Sequence, residues 1–248
     1  MELKQIAHIE SDFPEKFGIP RQPGLVKGLQ ATVVFEEGYR DPAALSGLEE
    51  FEYIWLIWGF SAIGEDEWAS TVHPPKLGGN VKKGVFATRS PFRPNHIGLS
   101  SVRLAGIEKT ADRGTVLKVL GADLMDGTPI YDVKPYVRYS DAHPDAKSGF
   151  SDSFSEEHLD VVFPEELLRL VPEEKREALE GVLSQDPRPS YQEDPDRLYG
   201  VAFGKQNIRF RVCRGVLTVV DVEPFTADSA AETMRRNEET RKQKEGNV

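Results

Sequence analysis

The chain has 248 residues, 39% hydrophobic and 29% charged, with a formal net charge of −10. This is the make-up of a soluble globular protein with one large domain, or a large and a small one. It excludes collagen-like and disulfide-scaffold classes, and the acidic balance argues against non-specific nucleic-acid binding, though a local basic face stays open. No apolar run reaches the roughly 18 residues needed to cross a bilayer. Residues 1–10 lack the basic-then-apolar order of a signal peptide, so none is expected. Cys213 is the single cysteine, which rules out an internal disulfide and a Cys-rich zinc site and points to the cytoplasm. Its flanks, Val212 and Arg214 in a strand-like run, predict a buried, inert thiol rather than a nucleophile. His8, His73, His96, His143 and His158 stand in no metal-ligand spacing, so no metal is expected.

In chain order, the first 140 residues read mostly as strands. Leu3, Ile6 and Ile9 lie in a short opening run. Ala31 to Phe35 is β-branched and compact, and Phe51 to Phe60 is apolar with aromatics at 51, 53, 55, 58 and 60. Strands are also predicted over 84–88, 98–107 and 115–120, with Asp132, Lys134 and Tyr136 alternating on a further one. Turn signals fall between them: Pro23-Gly24, Glu37-Gly38, Gly78-Gly79-Asn80, Asp112 to Gly114 and Asp126-Gly127. Many strands with little periodic helix between them predict a barrel or sandwich.

Residues 141–185 carry net −8. They read as a polar linker followed by helices over 164–170 and 172–183, each opening on Pro and then acids, as the positive end of a helix dipole favours. Asp186 to Tyr191 breaks the helix. Strands over about 198–204, 207–214 and 216–222 then form a small β module. The charged tail, 226–248, is given no role.

Trp68 to Ile107 contains no Asp or Glu but carries Lys76, Lys82, Lys83, Arg89, Arg93 and Arg103. A field of one sign among Gly and Pro suits an anionic ligand, or simply balances acidic neighbours. Pro20-Arg-Gln-Pro-Gly24 presets Arg21 and Gln22 between stiff prolines, either for an adenine edge or carboxylate or as an exposed turn. Arg89-Ser-Pro-Phe-Arg-Pro-Asn95 places two guanidinium groups in a rigid loop, a plausible anion clamp unless one only caps backbone carbonyls. Asp123-Leu-Met-Asp126 offers two carboxylates that can accept ribose hydroxyls or shape a turn. Arg197 to Val220 is again free of acids. Alternation puts Arg209 and Arg211 on one strand face, which with Arg188, Tyr191 and Lys205 suits RNA phosphates and stacked bases, or else is a solvated sheet face. No dinucleotide fingerprint, P-loop or nucleophile elbow is present.

Together these segments resemble the TsaA-like, or TrmO, family of S-adenosylmethionine-dependent tRNA methyltransferases. The residues that carry the resemblance are Pro20 to Leu25, Leu77-Gly-Gly-Asn80, Gly84 to Asn95 with Ile97-Gly98, Asp126-Gly-Thr-Pro129, Asp132-Val-Lys-Pro-Tyr136, and Asp186-Pro-Arg-Pro with Tyr191. The resemblance implies a mainly β architecture: a TsaA-like β-barrel over 1–140 that binds S-adenosylmethionine, linker and helices over 141–185, and a small α+β C-terminal domain over 186–225 that contacts tRNA. It implies methylation of N6 of N6-threonylcarbamoyladenosine at tRNA position 37. The implied cofactor contacts are Arg21, Gln22, Pro23, Ser61, Ala62, Arg89, Leu99, Asp123, Leu124, Met125 and Asp126. Ser61 and Ala62 align with a pair that is often His-Gln in the family, so the imidazole and amide are missing here. Arg93, Asn95, Arg188, Tyr191, Lys205, Arg209 and Arg211 are the expected tRNA contacts.

A ureido nitrogen is a poor nucleophile while protonated, so a base is needed; Asp126 is the candidate, and the substrate's own threonyl carboxylate its rival. The resemblance implies paired barrels, and aromatics on both faces of Phe51 to Phe60 also predict a homodimer, because one barrel interior covers only one face; the alternative is burial under the protein's own helices over 164–183. The alternative functions are a non-catalytic RNA- or nucleotide-binding protein on the same barrel, and a methyltransferase with another acceptor.

Overall fold

The structure, a computed structural model, describes residues 2–64, 67–74, 77, 81–153, 158–188, 194–229, 231–233 and 235. Two compact units emerge: residues 1–11 with 21–156, and residues 12–20 with 157–248.

Among the described residues the first unit is built on eight strands: β1 (Ala7–Glu10), β2 (Gln30–Phe35), β3 (Tyr53–Gly59), β4 (Thr71–Val72), β5 (Lys83–Gly84), β6 (Ile97–Thr110), β7 (Gly114–Leu120) and β8 (Pro129–Pro135). Six of them run β1-β2-β7-β6-β3-β8, and pairing of β1 with β8 closes the ring into a barrel. Period-2 alternation selects the interior. Ile54, Leu56 and Trp58 of β3 point inward with Ile9, Val33, Val102, Leu117 and Ile130, all nearly inaccessible. Burying each such side chain contributes about 1.5–3 kcal/mol, which offsets the ordering of the strands. Tyr53 and Trp55 take the opposite parity and pack on Tyr136, with ring centroids 6.2 and 5.6 Å apart. The Trp55 indole N–H donates to Asp141 Oδ2 at 2.9 Å, on the one-turn helix α1 (Arg138–Asp141).

The strand expected over 84–88 stops after Gly84. Val85–Ala87 is a 3-10 turn instead. Val85 is buried, and the Thr88 amide and hydroxyl both donate to its carbonyl, at 3.1 and 2.8 Å. These local bonds satisfy the backbone that a sheet would otherwise have paired.

The second unit holds β9 (Asp160–Val162), α2 (Glu165–Leu168), α3 (Glu173–Ser184), β10 (Tyr199–Phe203), β11 (Gln206–Cys213) and β12 (Val216–Pro224). Its sheet order is β10-β11-β12-β9, with β9 parallel to β12. Glu173 and Glu174 sit in the first turn of α3, which buries Ala178, Leu179, Val182 and Leu183. The unit therefore takes in β9, α2 and α3, which the sequence reads as linker and helices. It also takes in residues 12–20 from the N-terminal region. Phe13 is buried edge-on to Phe203, 5.7 Å between centroids, and Lys175 pairs with Asp12. Cys213 is exposed, which corrects the expected buried thiol. It shares strand parity with exposed Arg211, opposite the buried Phe210 and Val212.

Candidate functional site

Three loops of the first unit meet. The first is Arg21 to Gly24, tied down where the Gly24 amide donates to the Gly121 carbonyl at 2.9 Å. Gly121 has φ +77°, and a Cβ there would meet the Gly24 Cα at 3.2 Å, so the approach requires glycine at 121. The second is the loop 85–96. Its Arg89 donates to the Gln22 side-chain carbonyl. The third follows β7: Asp123 lies two residues beyond Gly121, and the Arg89 charge acts on its carboxylate.

Asp123 is half-buried. Burial pushes its carboxyl above the usual range, while the Ser100 hydroxyl and the Arg89 guanidinium pull the other way. Ser100 donates to Asp123 Oδ1 at 2.6 Å, and the Trp58 indole N–H donates to Ser100 at 3.0 Å. Sequence reasoning missed Ser100 and Trp58 as parts of the site. The available signal was a hydroxyl at an inward parity of β6, between Gly98 and Val102, where an apolar side chain is the rule.

The other expected cofactor residues differ in what they present. Arg21, Ser61, Ala62, Leu99 and Asp126 are exposed; Gln22, Pro23 and Met125 are partly so. Leu124 is only 1% exposed and belongs to the barrel core, so its side chain offers nothing to a ligand. Its carbonyl accepts the Ser11 hydroxyl at 2.9 Å. Asp126 Oδ1 accepts the Ser11 amide at 2.9 Å, and Gly127 has φ +75°. Asp126 therefore shapes a turn as well as presenting a carboxylate. Ser61 and Ala62 form the turn after β3, next to Phe60, whose amide donates to the His96 carbonyl at 2.9 Å.

Arg93 is not an open anion clamp. Its guanidinium donates to the Thr88 carbonyl at 2.7 Å and the Val85 carbonyl at 3.4 Å, and lies over the Phe86 ring. It caps the loop's own backbone and so holds Arg89 in place. Asn95 is exposed beside it.

In the second unit the expected RNA face is corrected at Arg209. Strand parity does put Arg209 and Arg211 on one side of β11, but Arg209 is 0% exposed. Its guanidinium is ringed by Asp221 at 3.7 Å, Glu232 at 3.5 Å and Glu223. Glu232 comes from the start of the tail, where Thr233 donates to the Ser229 carbonyl at 3.0 Å and both are buried. Glu232 thus meets that end of the face, while Arg211 and Lys205 are exposed. Asp186 chelates Arg188 through Nε at 2.8 Å and Nη2 at 2.9 Å. Tyr191 lies outside the described residues, as do Gly78, Gly79 and Asn80.

Among the described residues no His, Cys, Asp and Glu cluster could hold a metal, and no helix is long and apolar enough to cross a membrane.

Comparison with known proteins fits this geometry. Family models described as the tRNA-methyltransferase O N-terminal domain and the TrmO C-terminal domain match residues 8–142 and 156–225. A protein of Escherichia coli K12 called tRNA (adenine(37)-N6)-methyltransferase is 39% identical over 231 residues, spanning 90% of this chain and 98% of the relative. A Pseudomonas aeruginosa protein called putative S-adenosylmethionine-dependent methyltransferase RcsF is 41% identical over 229 residues, spanning 89% and 96%. A crystal structure of TrmO from P. aeruginosa superposes with a TM-score of 0.73 at 35% identity, covering 91% of this chain and 97% of that one. Both halves of the sequence match the same family, and the relatives cover nearly the whole chain: the chain belongs to the tRNA-methyltransferase O (TrmO) family.

Proposed function

We propose that this protein is a cytoplasmic enzyme that transfers the methyl group of S-adenosylmethionine to N6 of N6-threonylcarbamoyladenosine at position 37 of tRNA. The observation that carries the reading is the Arg89–Gln22 contact, with the Arg89 charge acting on the Asp123 carboxylate, which draws together three of the implied cofactor residues. The names of the E. coli and P. aeruginosa relatives supply the cofactor and the methylated position.

The residues present fit that cofactor. Arg89 and Gln22 offer donors to a carboxylate. Asp123 offers acceptors to hydroxyl or ammonium groups, and exposed Leu99 offers an apolar surface. When bound, S-adenosylmethionine supplies a methyl group on a sulfonium. The protein's part is alignment: fixed loops hold the two reactants in line, where much of the rate gain of such a transfer arises. Arg93 contributes by bracing the loop that carries Arg89. Asp126 takes the proton from the acceptor nitrogen; a normal turnover rate in Asp126→Asn would give that task to the substrate's threonyl carboxylate.

Ser61 and Ala62, in place of an imidazole and an amide, favour a second reading as a binding protein without catalysis. Incubating purified protein with S-adenosylmethionine and tRNA, with or without the threonylcarbamoyl group, separates the two. Methyl transfer to the modified tRNA alone is the expected result. Cofactor binding without transfer to any tRNA points to another acceptor, and failure to bind the cofactor points to the binding-protein reading.

A further inference from the structure

Resting on the reading of Asp123 as part of the cofactor site, we propose that Ser100, itself held by the Trp58 indole, is the positioning residue that fixes the Asp123 carboxylate for the hydrogen-bond donors of S-adenosylmethionine. Ser100 lies on β6 at an inward position and is 1% exposed. A hydroxyl there must satisfy its own polar atom, and both of its partners are supplied. It accepts from Trp58 Nε1 at 3.0 Å and donates to Asp123 Oδ1 at 2.6 Å. Trp58 thereby fixes which way the hydroxyl points: with a lone pair engaged by the indole, the proton is left for the carboxylate. A bond of 2.6 Å to a carboxylate oxygen is of the charge-assisted kind, roughly twice as strong as a neutral one.

The strands are cut for this chain of contacts. Trp58 pairs with Gly98 and Leu56 pairs with Ser100, so the indole has to lie across position 98 to reach 100. A Cβ at Gly98 would meet the indole at 2.3 Å. Glycine at 98 leaves the space that the ring occupies. The result is a relay from the barrel wall to the site: Gly98 admits Trp58, Trp58 orients Ser100, and Ser100 holds Asp123. The charge of Arg89 also acts on Asp123. With Oδ1 held by Ser100, the carboxylate has a fixed orientation before any ligand arrives. Such preorganisation raises affinity by lowering the ordering cost of binding.

The test measures S-adenosylmethionine affinity by calorimetry from pH 5 to 8 in Ser100→Ala, Ser100→Thr, Trp58→Phe and Asp123→Asn, with thermal melts to show that each is folded. Ser100→Ala is expected to weaken binding by roughly tenfold at pH 7. Its loss of affinity on the acid side should set in at higher pH than in the wild type, because the hydroxyl that favours the charged carboxylate is gone. Ser100→Thr keeps the hydroxyl and should restore most of the affinity. Trp58→Phe should shift both readouts in the same direction by less. Wild-type affinity and pH profile in Ser100→Ala, while Asp123→Asn weakens binding, would overturn the relay and leave Asp123 in the site. Wild-type affinity in Asp123→Asn would remove Asp123 from the cofactor site, and the relay with it.

Discussion

Two arginines four residues apart in the same loop have opposite tasks. Arg93 spends its donors on the Thr88 and Val85 carbonyls, while Arg89 reaches across to Gln22. Charge and spacing revealed that this loop mattered, but could not assign the two roles, because a guanidinium serves a backbone carbonyl as readily as a carboxylate. Arg89→Ala is expected to weaken S-adenosylmethionine binding by roughly tenfold or more, since a charge-assisted hydrogen bond contributes about 1.5–3 kcal/mol. Calorimetry on the folded variant checks it; unchanged affinity would take Arg89 out of the site. Asp123 carries a cost of the opposite kind. Its carboxyl sits above the usual range because it is half-buried, so the ionised group destabilises the ligand-free fold at neutral pH. Stability from this group is gained as pH falls through the raised folded value. Asp123→Asn should therefore melt higher than the wild type at pH 7, and the difference should shrink as pH falls. A lower melting temperature at pH 7 would contradict this, and would mean that the ionised carboxylate stabilises the fold.

At the scale of elements, the strands were legible because burial on one face writes period-2 alternation into the sequence. β2, β3, β6, β7 and β10 to β12 lie close to where that pattern predicts. The pattern failed where side chains bond to their own backbone: Thr88 turns the run 84–88 into a 3-10 turn. It also failed where chain distant in sequence returns. Nothing local marks Phe13 as the partner of Phe203, or Glu232 as the partner of Arg209. The acid-free run Arg197 to Val220 suggests an RNA face, but two of the acids that pair with Arg209, Asp221 and Glu223, lie just past its end, and Glu232 returns from further on. Arg209→Ala should destabilise the protein by about 3 kcal/mol, at the low end for breaking a buried ion pair because its three carboxylates are partly solvated. Denaturant unfolding measures the loss; a change within error would show that the tail and β12 do not depend on it. RNA contact is better tested at Lys205 and Arg211, which are exposed. Changing both to Glu should weaken tRNA binding and flatten its salt dependence, leaving cofactor affinity alone. An unaltered salt slope would make this only a solvated face.

For the whole molecule, the resemblance reached from a handful of loop motifs extends along both units, and the family models span nearly the same residues. The outer aromatic row predicts a partner subunit. The α1 turn covers part of it through Trp55 and Asp141, yet Tyr53 stays 40% exposed, and Tyr139, on α1 itself, is 93% exposed. A homodimer is still the expectation, and light scattering at micromolar concentration tests it; a mass near the 27.8 kDa of one chain would contradict it.

The most direct test of the account is mass spectrometry of tRNA nucleosides from cells lacking the gene. Loss of the N6-methylated form of N6-threonylcarbamoyladenosine, with its unmethylated parent retained, is the predicted result. The wild-type gene should restore it in full, and Arg89→Ala should restore less of it. An unchanged nucleoside profile in the deletion strain would contradict the assignment.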